Sequence, residues 1–377
     1  GRKWFPHAKG GDFRRWAGNV DAVVDWHNDG ASLQTTLTDD GSRVRATNFN
    51  LDRILKPGVV WTVVTSGPPS FRLVGPGHLF ADASGVCQSR DNDYLLALLN
   101  SAAAAEVLNG INPTLNMQPG NLAAVPAPPD PNAAAAAALA RRAVALSRYD
   151  WASRETSWEF TGNPLVLQTG KVADAVQAVI SQGLRSTAEL AQIEADVNLH
   201  FAELYEIEHD EVRPADSQVS LMANPAYRYA GQDIWSFGGL QTADHVRDLV
   251  SYAIGCMFGR YSLDKPGLIL ADQGATMQDY LAKVPQPTFA PDADNVIPIV
   301  DGDWFEDDVV GLFRRFLRTA FGDQHFEENL KFVTESLGVK SLRDYFITRA
   351  GKSKFYDDHV QRYKKRPIYW LFSSPKG

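Results

Sequence analysis

Short apolar runs separated by turn-forming residues dominate the first ninety positions, a pattern typical of β-strands. Three such runs are strand candidates: 20–26, 58–65 and 71–74. The second run is β-branched almost throughout, and Ser66-Gly67-Pro68-Pro69-Ser70 breaks it before the third begins. The N-terminal part of the chain is therefore predicted to be rich in strands.

From residue 91 onward, apolar residues recur at helical spacing. The predicted helices are 91–108, 133–149, 172–180, 187–205, 244–258, 303–321, 326–337 and 342–347. Asp91 or Asn92 is the predicted N-cap of the first, and Ser186 with Glu189 forms a predicted capping box that separates the third from the fourth. The apolar segments 268–270 and 296–300 are predicted as short strands or extended pieces.

Four prolines within residues 125–131 predict a stiff, extended connection. They divide the chain into a strand-rich domain over 1–128, a helical connector over 129–214 and a mostly helical domain over 215–377. The predicted fold class is α+β.

The overall charge argues against a polyanionic partner, but its distribution does not. The net charge of the 377 residues is −8. Residues 1–90 carry 11 Lys+Arg against 8 Asp+Glu, and residues 340–377 carry 10 against 3, so two basic ends flank an acidic centre. Cations at the ends keep nucleic acid open as a partner.

Only two cysteines are present, Cys87 and Cys256, which excludes a framework of several disulfides and a cysteine-rich zinc site. The first residues are basic and aromatic rather than apolar, and no apolar window is long enough to span a bilayer. We therefore expect a cytoplasmic protein that does not contact a membrane.

The opening sixteen residues combine five cations, four aromatic rings and the pair Gly10-Gly11. Cations attract phosphates, aromatic faces stack on bases, and glycines allow close backbone approach. We predict the following DNA-binding residues, which include hydroxyl donors after the second strand and a second basic run near the end: Lys3, Lys9, Gly10, Gly11, Arg14, Arg15, Thr65, Ser66, Ser70, Arg72, Lys364, Lys365 and Arg366. Each basic segment also has a purely structural interpretation. The opening cations would then be solvated on a strand edge, and residues 364–366 would form a solvated loop.

Two motifs suggest chemistry but favour structural explanations. Asn224-Pro225-Ala226-Tyr227 resembles the Asn-Pro-Pro-Tyr of amino-methyltransferases, yet it lacks the second proline, and no glycine-rich cofactor turn follows a strand. We expect a turn there. The acidic residues 301–308 are expected to begin a helix rather than bind a cation. No catalytic, metal-binding or cofactor-binding residue is predicted in this chain.

Several long segments together resemble one protein family. They are 4–19, 24–30, 58–62 with 65–67, 112–116, 224–229, 251–261 and 364–372. These segments are similar to the PglX family, the adenine-specific DNA methyltransferases of BREX phage-defence systems. The family's catalytic half, with its S-adenosylmethionine-binding sheet, has no counterpart here, and the chain is expected to begin after it and to stop short of the family's C-terminus.

The resemblance implies a target-recognition and C-terminal region that performs no methyl transfer by itself. It implies two partners, double-stranded DNA and the catalytic domain of the longer protein. It also implies that S-adenosylmethionine is the cofactor of that longer protein. Other defence-system proteins or phage inhibitors are further candidate partners. The segment around Arg14 is expected to lie near the catalytic domain, so that Arg14→Glu would abolish methylation and leave the fold intact.

The predicted function is recognition of a DNA sequence for an N6-adenine methyltransferase in phage defence. Three alternatives stay open. In the first, the chain is a protein-interaction module of a defence complex and docks through its acidic centre. In the second, it is the part of a restriction–modification enzyme that resembles a specificity subunit. In the third, it is a self-contained enzyme that uses Asn224 and Tyr227.

Overall fold

The computed structural model describes residues 2–46, 50–168, 170–207, 212–272, 274–300 and 307–372. The chain folds into two compact units, each built from two stretches of sequence. Unit 1 comprises Gly1–Trp151 with Leu184–Ala230, and unit 2 comprises Ala152–Gly183 with Gly231–Gly377.

The described residues of unit 1 form two three-stranded sheets. The strands are β1 Trp4–Ala8, β2 Ala22–Asp25, β3 Gly58–Thr62, β4 Phe71–Val74, β5 Leu79–Phe80 and β6 Ser84–Cys87. In the first sheet, β1 is central, antiparallel to β2 and parallel to β5. In the second sheet, β3 is central and antiparallel to both β4 and β6.

The central strand β3 is buried because its residues are apolar on both faces, as expected of a strand covered on both sides. Trp61 packs its indole ring directly over Gly85 of β6, where a Cβ atom would lie 2.1 Å from the ring. The indole N–H donates a hydrogen bond to the Met117 carbonyl at 2.8 Å. A glycine at 85 is therefore required for the indole to reach the loop that contains Met117.

The helices of unit 1 are α1 Ala31–Thr35, α2 Asn92–Asn100, α3 Ala102–Ile111, α4 Pro119–Ala123, α5 Ala133–Ala152, the C-terminal part of α6 Val172–Tyr205, and α7 Pro225–Arg228. Helix α2 packs against β3 and β4, and α4 packs against β6. One face of α5 carries buried alanines, among them Ala136 and Ala140, which belong to the same core cluster as Leu190 and Phe201 of α6. Their small side chains allow close helix packing, since the interaxial distance depends on the side chains at the contact.

Unit 2 is helical in the part that the structure describes. Besides the N-terminal part of α6, it contains α8 Phe237–Met257, α9 Met277–Lys283, α10 Val309–Phe321, α11 Phe326–Ser336, α12 Leu342–Phe346 and α13 Lys354–Arg362. Helix α10 buries Leu312, Phe313 and Phe316 at helical spacing against α8 residues such as Val250. Asp308 caps α10 by accepting hydrogen bonds from the backbone N–H groups of the first turn.

The α+β class predicted from the sequence is confirmed, with small sheets and many helices. The segment 71–74 is a strand as predicted, and the Asp91 side chain caps α2. The predicted helix over 91–108 is interrupted at Ser101, whose hydroxyl oxygen caps α3 instead.

Three predictions about local structure are wrong or untested. The capping box at Ser186 is wrong, because that residue lies inside the continuous helix α6 and its side chain is buried. The segments 268–270 and 296–300 were predicted as short strands or extended pieces, and of these two alternatives the strand is wrong. The predicted start of a helix at 303 lies outside the described residues, and the helix that follows, α10, begins at Val309.

The grouping into units differs from the three-domain division predicted from the sequence. The predicted connector, 129–214, is shared between the units because its helices carry apolar faces that pack into both cores. Ala143 and Val197 belong to the core of unit 1, whereas Val172 and Val176 belong to the core of unit 2.

His359 of α13 anchors the last described segment of unit 2. Its Nε2 accepts hydrogen bonds from the backbone N–H groups of Ile368 at 3.0 Å and Tyr369 at 3.2 Å. The side chain is buried among aromatic rings, including those of Tyr363 and Tyr369. Burial, followed by the positive charges of Arg362 and Arg260, lowers the pKa of His359 to about 4.

Acid is therefore expected to destabilise unit 2. Between the ordinary pKa of 6.5 and the lowered value of about 4, the unfolded chain binds a proton on His359 that the folded chain does not. Folding stability falls with decreasing pH through that window, by up to about 1.4 kcal/mol per pH unit from this group. Urea unfolding at pH 7 and pH 5 measures this pH dependence of folding stability. We expect His359→Asn to be less stable than wild type at pH 7. We also expect the variant to lose less stability than wild type between pH 7 and pH 5. An equal loss in both proteins would contradict the assignment.

No single helix among the described residues has the length and apolar character to cross a bilayer, although α2 and α3, bent by 72° at Ser101, pass that test as a pair.

Candidate nucleic-acid interface

Four loops of unit 1 meet at one end of its two sheets. We call the surface that they form the loop edge, and it comprises residues 9–12, 62–67, 81–84 and 112–118. Strands β1 and β5 run parallel and both end at this edge, β3 also ends there, and β6 begins there. Sheet pairing therefore brings together loops that are far apart in sequence.

Hydrogen bonds join the four loops. The Thr62 hydroxyl donates to the Gly11 carbonyl at 2.9 Å, and the Val63 N–H donates to the Ala83 carbonyl at 3.1 Å. The Thr65 N–H donates to the Leu115 carbonyl at 3.0 Å, and an isolated bridge pairs Val64 with Asn116. The loop edge is thus a connected surface rather than four separate loops.

Five of the predicted DNA-binding residues lie on the loop edge: Lys9, Gly10, Gly11, Thr65 and Ser66. Lys9 and Ser66 are exposed, whereas Thr65 is half-buried and its Oγ1 accepts a hydrogen bond from the Gly67 N–H at 3.1 Å. Lys9 supplies a cation, and Thr65 and Ser66 supply hydroxyls. Such groups contact phosphates and base edges.

The glycine pair is explained by packing against the protein itself. Gly10 has φ +79° and Gly11 has φ +125°, conformations that favour glycine. A Cβ atom at Gly10 would lie 2.9 Å from the Ala83 carbonyl oxygen, and one at Gly11 would lie 3.0 Å from the Asn19 amide. The pair therefore lets the loop turn tightly against its neighbours in unit 1.

Arg72 and Ser70 lie beneath the loop edge, and both side chains are buried. The Arg72 guanidinium donates to the Arg14 carbonyl at 3.1 Å and to the Thr62 Oγ1 at 3.4 Å. Burial and the nearby Arg14 charge lower the pKa of Arg72 to about 10, so it stays protonated at neutral pH. The structure does not present this guanidinium to DNA, contrary to our expectation, and instead uses it to hold Thr62 and the Arg14 backbone.

Arg14 is also buried, with 1% of its surface exposed. Its guanidinium forms an ion pair with Asp150 at 2.8 Å, donates to the carbonyls of Ala17 and Ser147, and packs over the Trp151 ring. The Asp150 carboxylate accepts two further hydrogen bonds, from backbone N–H groups at 222 and 223. Our expectation that Arg14 faces DNA is therefore corrected: it ties the N-terminal segment to α5.

Arg15 is directed into the protein as well. It contacts Glu194 of α6 at 3.4 Å, and the Trp16 indole N–H donates to the same carboxylate at 2.6 Å. Burial raises the pKa of Glu194, and the opposing contributions of Arg15 and Trp16 favour its charged form. These contacts secure the opening segment to a second helix of unit 1.

The remaining predicted cations are exposed. Lys3 lies before β1, at the end of that strand opposite to Lys9, and pairs with Asp25 at 3.6 Å. Lys364, Lys365 and Arg366 are exposed in the turn that follows α13 in unit 2. Whether any of them contacts DNA stays a prediction.

The Asn224 motif is a structural turn, as we expected. The Asn224 side chain is buried, donates to the carbonyls of Asp216 and Val219, and caps α7 by accepting from the Ala226 N–H. The Tyr227 hydroxyl donates to the Phe13 carbonyl. With these hydrogen bonds the Asn224 amide is occupied, so this arrangement does not offer the groups that a methyltransferase motif presents to a target base.

Within the described residues, no group of three or more His, Cys, Asp and Glu side chains could hold a metal ion. Asp308 caps α10, while the predicted helix start over 303–306, together with Asp301, lies outside the described residues.

Sequence reasoning missed two residues of the loop edge, Asn116 and Gln118. Both side chains are exposed, and the Gln118 Nε2 donates to the Asn116 Oδ1 at 2.6 Å. Side-chain amides are the groups that pair with adenine. The position of the segment 112–118 beside Thr65 depends on tertiary pairing, which the composition of the segment does not show.

Two curated proteins are similar to the chain along its length. Adenine-specific methyltransferase BrxX of Escherichia coli O9:H4 (strain HS) is 34% identical over 390 residues, which cover 99% of this chain and 31% of BrxX. Adenine-specific methyltransferase PglX of Lacticaseibacillus casei (strain Zhang) is 33% identical over 391 residues, which cover 100% of this chain and 30% of PglX.

The chain is a homologue of one segment of PglX-family proteins. The family resemblance inferred from the sequence is confirmed. The chain spans about a third of the length of these relatives, and no protein-family model matches it.

Proposed function

We propose that this chain is a DNA sequence-recognition region of an adenine-specific methyltransferase that acts in bacterial phage defence. The observation that carries the proposal is the similarity of the whole chain to about a third of both BrxX and PglX. A segment of that size is large enough for target recognition beside a catalytic domain. Methyl transfer and binding of S-adenosylmethionine are then tasks of the longer protein, which we place in the cytoplasm.

The loop edge supports the proposal. It combines an exposed cation at Lys9, hydroxyls at Thr65 and Ser66, and exposed amides at Asn116 and Gln118 on one connected surface. Functional groups on loops positioned by a rigid sheet are typical of binding sites. The buried cations Arg14 and Arg72 hold this surface from below.

The chain is expected to bind duplex DNA with an affinity that falls steeply as salt rises, because each neutralised phosphate releases counterions. Fluorescence anisotropy with a labelled duplex over a salt series measures this. Lys9→Glu should weaken binding several-fold and reduce the slope of log affinity against log salt by about 1.

Lys56→Glu is the matched control. Lys56 is an exposed lysine of the same unit that precedes the start of β3, whereas the loop edge follows its end. Binding that is absent at low salt, or independent of salt, would contradict DNA recognition. If Lys56→Glu weakens DNA binding as much as Lys9→Glu does, the loop edge is not part of the surface that contacts DNA.

One observation favours the protein-interaction alternative. In unit 2, Ile234 and Trp235 precede α8 with 65% and 89% of their surfaces exposed, and large exposed apolar side chains mark protein contacts when they are adjacent. The salt series separates the alternatives, since a module that binds only proteins would show no salt-dependent affinity for duplex DNA.

A further inference from the structure

A basic and aromatic segment follows α13 in unit 2. We call residues 364–372 the basic–aromatic segment. It begins with three exposed cations at 364–366 and ends with an exposed apolar run at 370–372. Residues 359–377 contain no Asp or Glu. Cations beside aromatic rings, with no acidic residue among them, are typical of surfaces that bind nucleic acid strands.

The turn that carries the cations has a fixed backbone. The Lys365 N–H donates to the Val360 carbonyl at 2.8 Å, and the Arg366 N–H donates to the Tyr363 carbonyl at 2.9 Å. Lys364 and Lys365 have φ values of +51° and +64°, in the left-handed region that favours glycine. Other residues keep this conformation only where the surrounding structure enforces it, and they cluster at sites that bind ligands.

Two of the cations have no carboxylate beside them. Among the described residues, neither Lys365 nor Arg366 forms an ion pair, whereas Arg362 of α13 pairs with Asp248. A cation at the C-terminal end of a helix favours the helix dipole, which accounts for part of this charge. The dipole does not account for the exposed rings that follow.

His359 holds both ends of the turn. The Tyr363 ring, just before the cations, has its centroid 4.9 Å from that of the His359 imidazole, and the Tyr369 ring, just before the apolar run, lies at 5.0 Å. The Tyr369 ring also stacks on Phe258 at 4.6 Å. Residues 364–368 therefore form a closed loop, and the cations and the apolar run lie at the same end of α13.

Trp370 and Phe372 lie beyond this anchor and are exposed. Their exposed fractions are 71% and 87%, and Leu371 between them is 36% exposed. This alternation is typical of an extended chain, in which the first and third side chains lie on the same side. Within the described part of the chain, neither ring contacts another ring or a cation. Exposed rings of this kind offer faces on which bases stack.

The chemistry of the segment fits a single strand better than a duplex. Bases in a duplex stack on one another, so an aromatic side chain reaches a base face only where the strand is unpaired or the base is flipped out. A protein partner fits less well, because cations without carboxylates match a chain of phosphates. Trp235 of the same unit is also exposed but lies two residues after Asp233, whose carboxylate accepts from its backbone N–H.

We propose that the basic–aromatic segment binds single-stranded DNA, with Lys365 and Arg366 on its phosphates and Trp370 and Phe372 stacked on its bases. This site is built from residues of unit 2, whereas the loop edge belongs to unit 1. The choice of DNA over RNA rests on the proposed function, and the binding of a single strand does not.

Fluorescence anisotropy with a labelled oligothymidine, which forms no duplex, tests the inference over a salt series. Trp370→Ala should weaken binding roughly tenfold, since it removes the stacking of one base. Trp370→Phe should retain most of the affinity, because it keeps an aromatic face. Lys365→Glu should weaken binding and reduce the slope of log affinity against log salt by about 0.7, the value for one phosphate of a single strand.

Trp235→Ala and Lys340→Glu are the matched controls. Trp235 is 89% exposed, and Lys340 is an exposed lysine of the same unit. Both variants should bind oligothymidine as wild type does. Urea unfolding midpoints show that each variant is folded.

Absence of binding to oligothymidine, or equal losses of affinity in Trp370→Ala and Trp235→Ala, would overturn the inference. Tighter binding of an oligouridine than of oligothymidine would overturn the assignment to DNA. Selection from randomised duplexes tests the proposed function separately. If wild type enriches no duplex sequence but binds oligothymidine through Trp370, duplex recognition fails and the single-strand site stands.

Discussion

Arg14→Glu is expected to destabilise unit 1 by at least about 3 kcal/mol, because breaking a buried ion pair leaves an uncompensated charge. The substitution would place a second carboxylate beside Asp150, where the structure has a 2.8 Å ion pair, and would remove the hydrogen bonds to Ala17 and Ser147. Urea unfolding monitored by tryptophan fluorescence should show a lower midpoint or no folded baseline.

Arg43→Glu provides the control, since Arg43 is an exposed arginine of the same unit and its charge reversal should change stability by less than about 0.5 kcal/mol. An Arg14→Glu protein with the wild-type midpoint would contradict the structural role. Any loss of DNA binding in Arg14→Glu would follow from misfolding, which corrects the expectation that this change leaves the fold intact.

Trp16→Ala is expected to cost about 3–5 kcal/mol, the usual range for removing a large buried aromatic side chain. Trp16 has no exposed surface, and its indole N–H donates to the buried Glu194 carboxylate at 2.6 Å. The variant would leave both a cavity and a carboxylate deprived of its shortest hydrogen bond, and both effects lower the free energy of unfolding.

Trp4→Ala is the matched control for Trp16→Ala. Trp4 begins β1 and is 42% exposed, so its removal should cost much less than the loss of Trp16. Equal unfolding midpoints for the two variants would show that Trp16 does not anchor the opening segment to α6.

Much of the local structure was predictable from the sequence because it depends on short-range patterns. Strand β4 and the Asp91 cap follow from runs and residue types within a few positions. The continuity of α6 through Ser186 was not predictable in this way, because its apolar faces pack into two cores. The units also combine stretches of sequence separated by more than thirty residues.

The candidate site was only partly predictable, for a physical reason. A basic residue in a sequence does not reveal whether a carboxylate lies next to it in the fold. Arg14 meets Asp150 at a separation of 136 positions, and Trp16 meets Glu194 at a separation of 178. Lys9 belongs to the same opening basic and aromatic segment as Arg14 but is exposed, so only the folded structure distinguishes the surface cation from the buried one.

The buried cations and the exposed groups of unit 1 therefore have different roles. The buried cations hold the opening segment and Thr62 in place, and the exposed groups of the loop edge are free to contact a ligand. Because the loop edge is near neutral, we expect most of the electrostatic attraction to DNA to arise elsewhere, with the loop edge contributing selectivity.

The central claim is that this chain recognises a DNA sequence. Selection by the wild-type chain from a pool of randomised duplexes, at physiological ionic strength and with unlabelled competitor DNA, tests it most directly. We expect successive rounds to enrich one discrete sequence. A pool whose composition is unchanged after those rounds would contradict it.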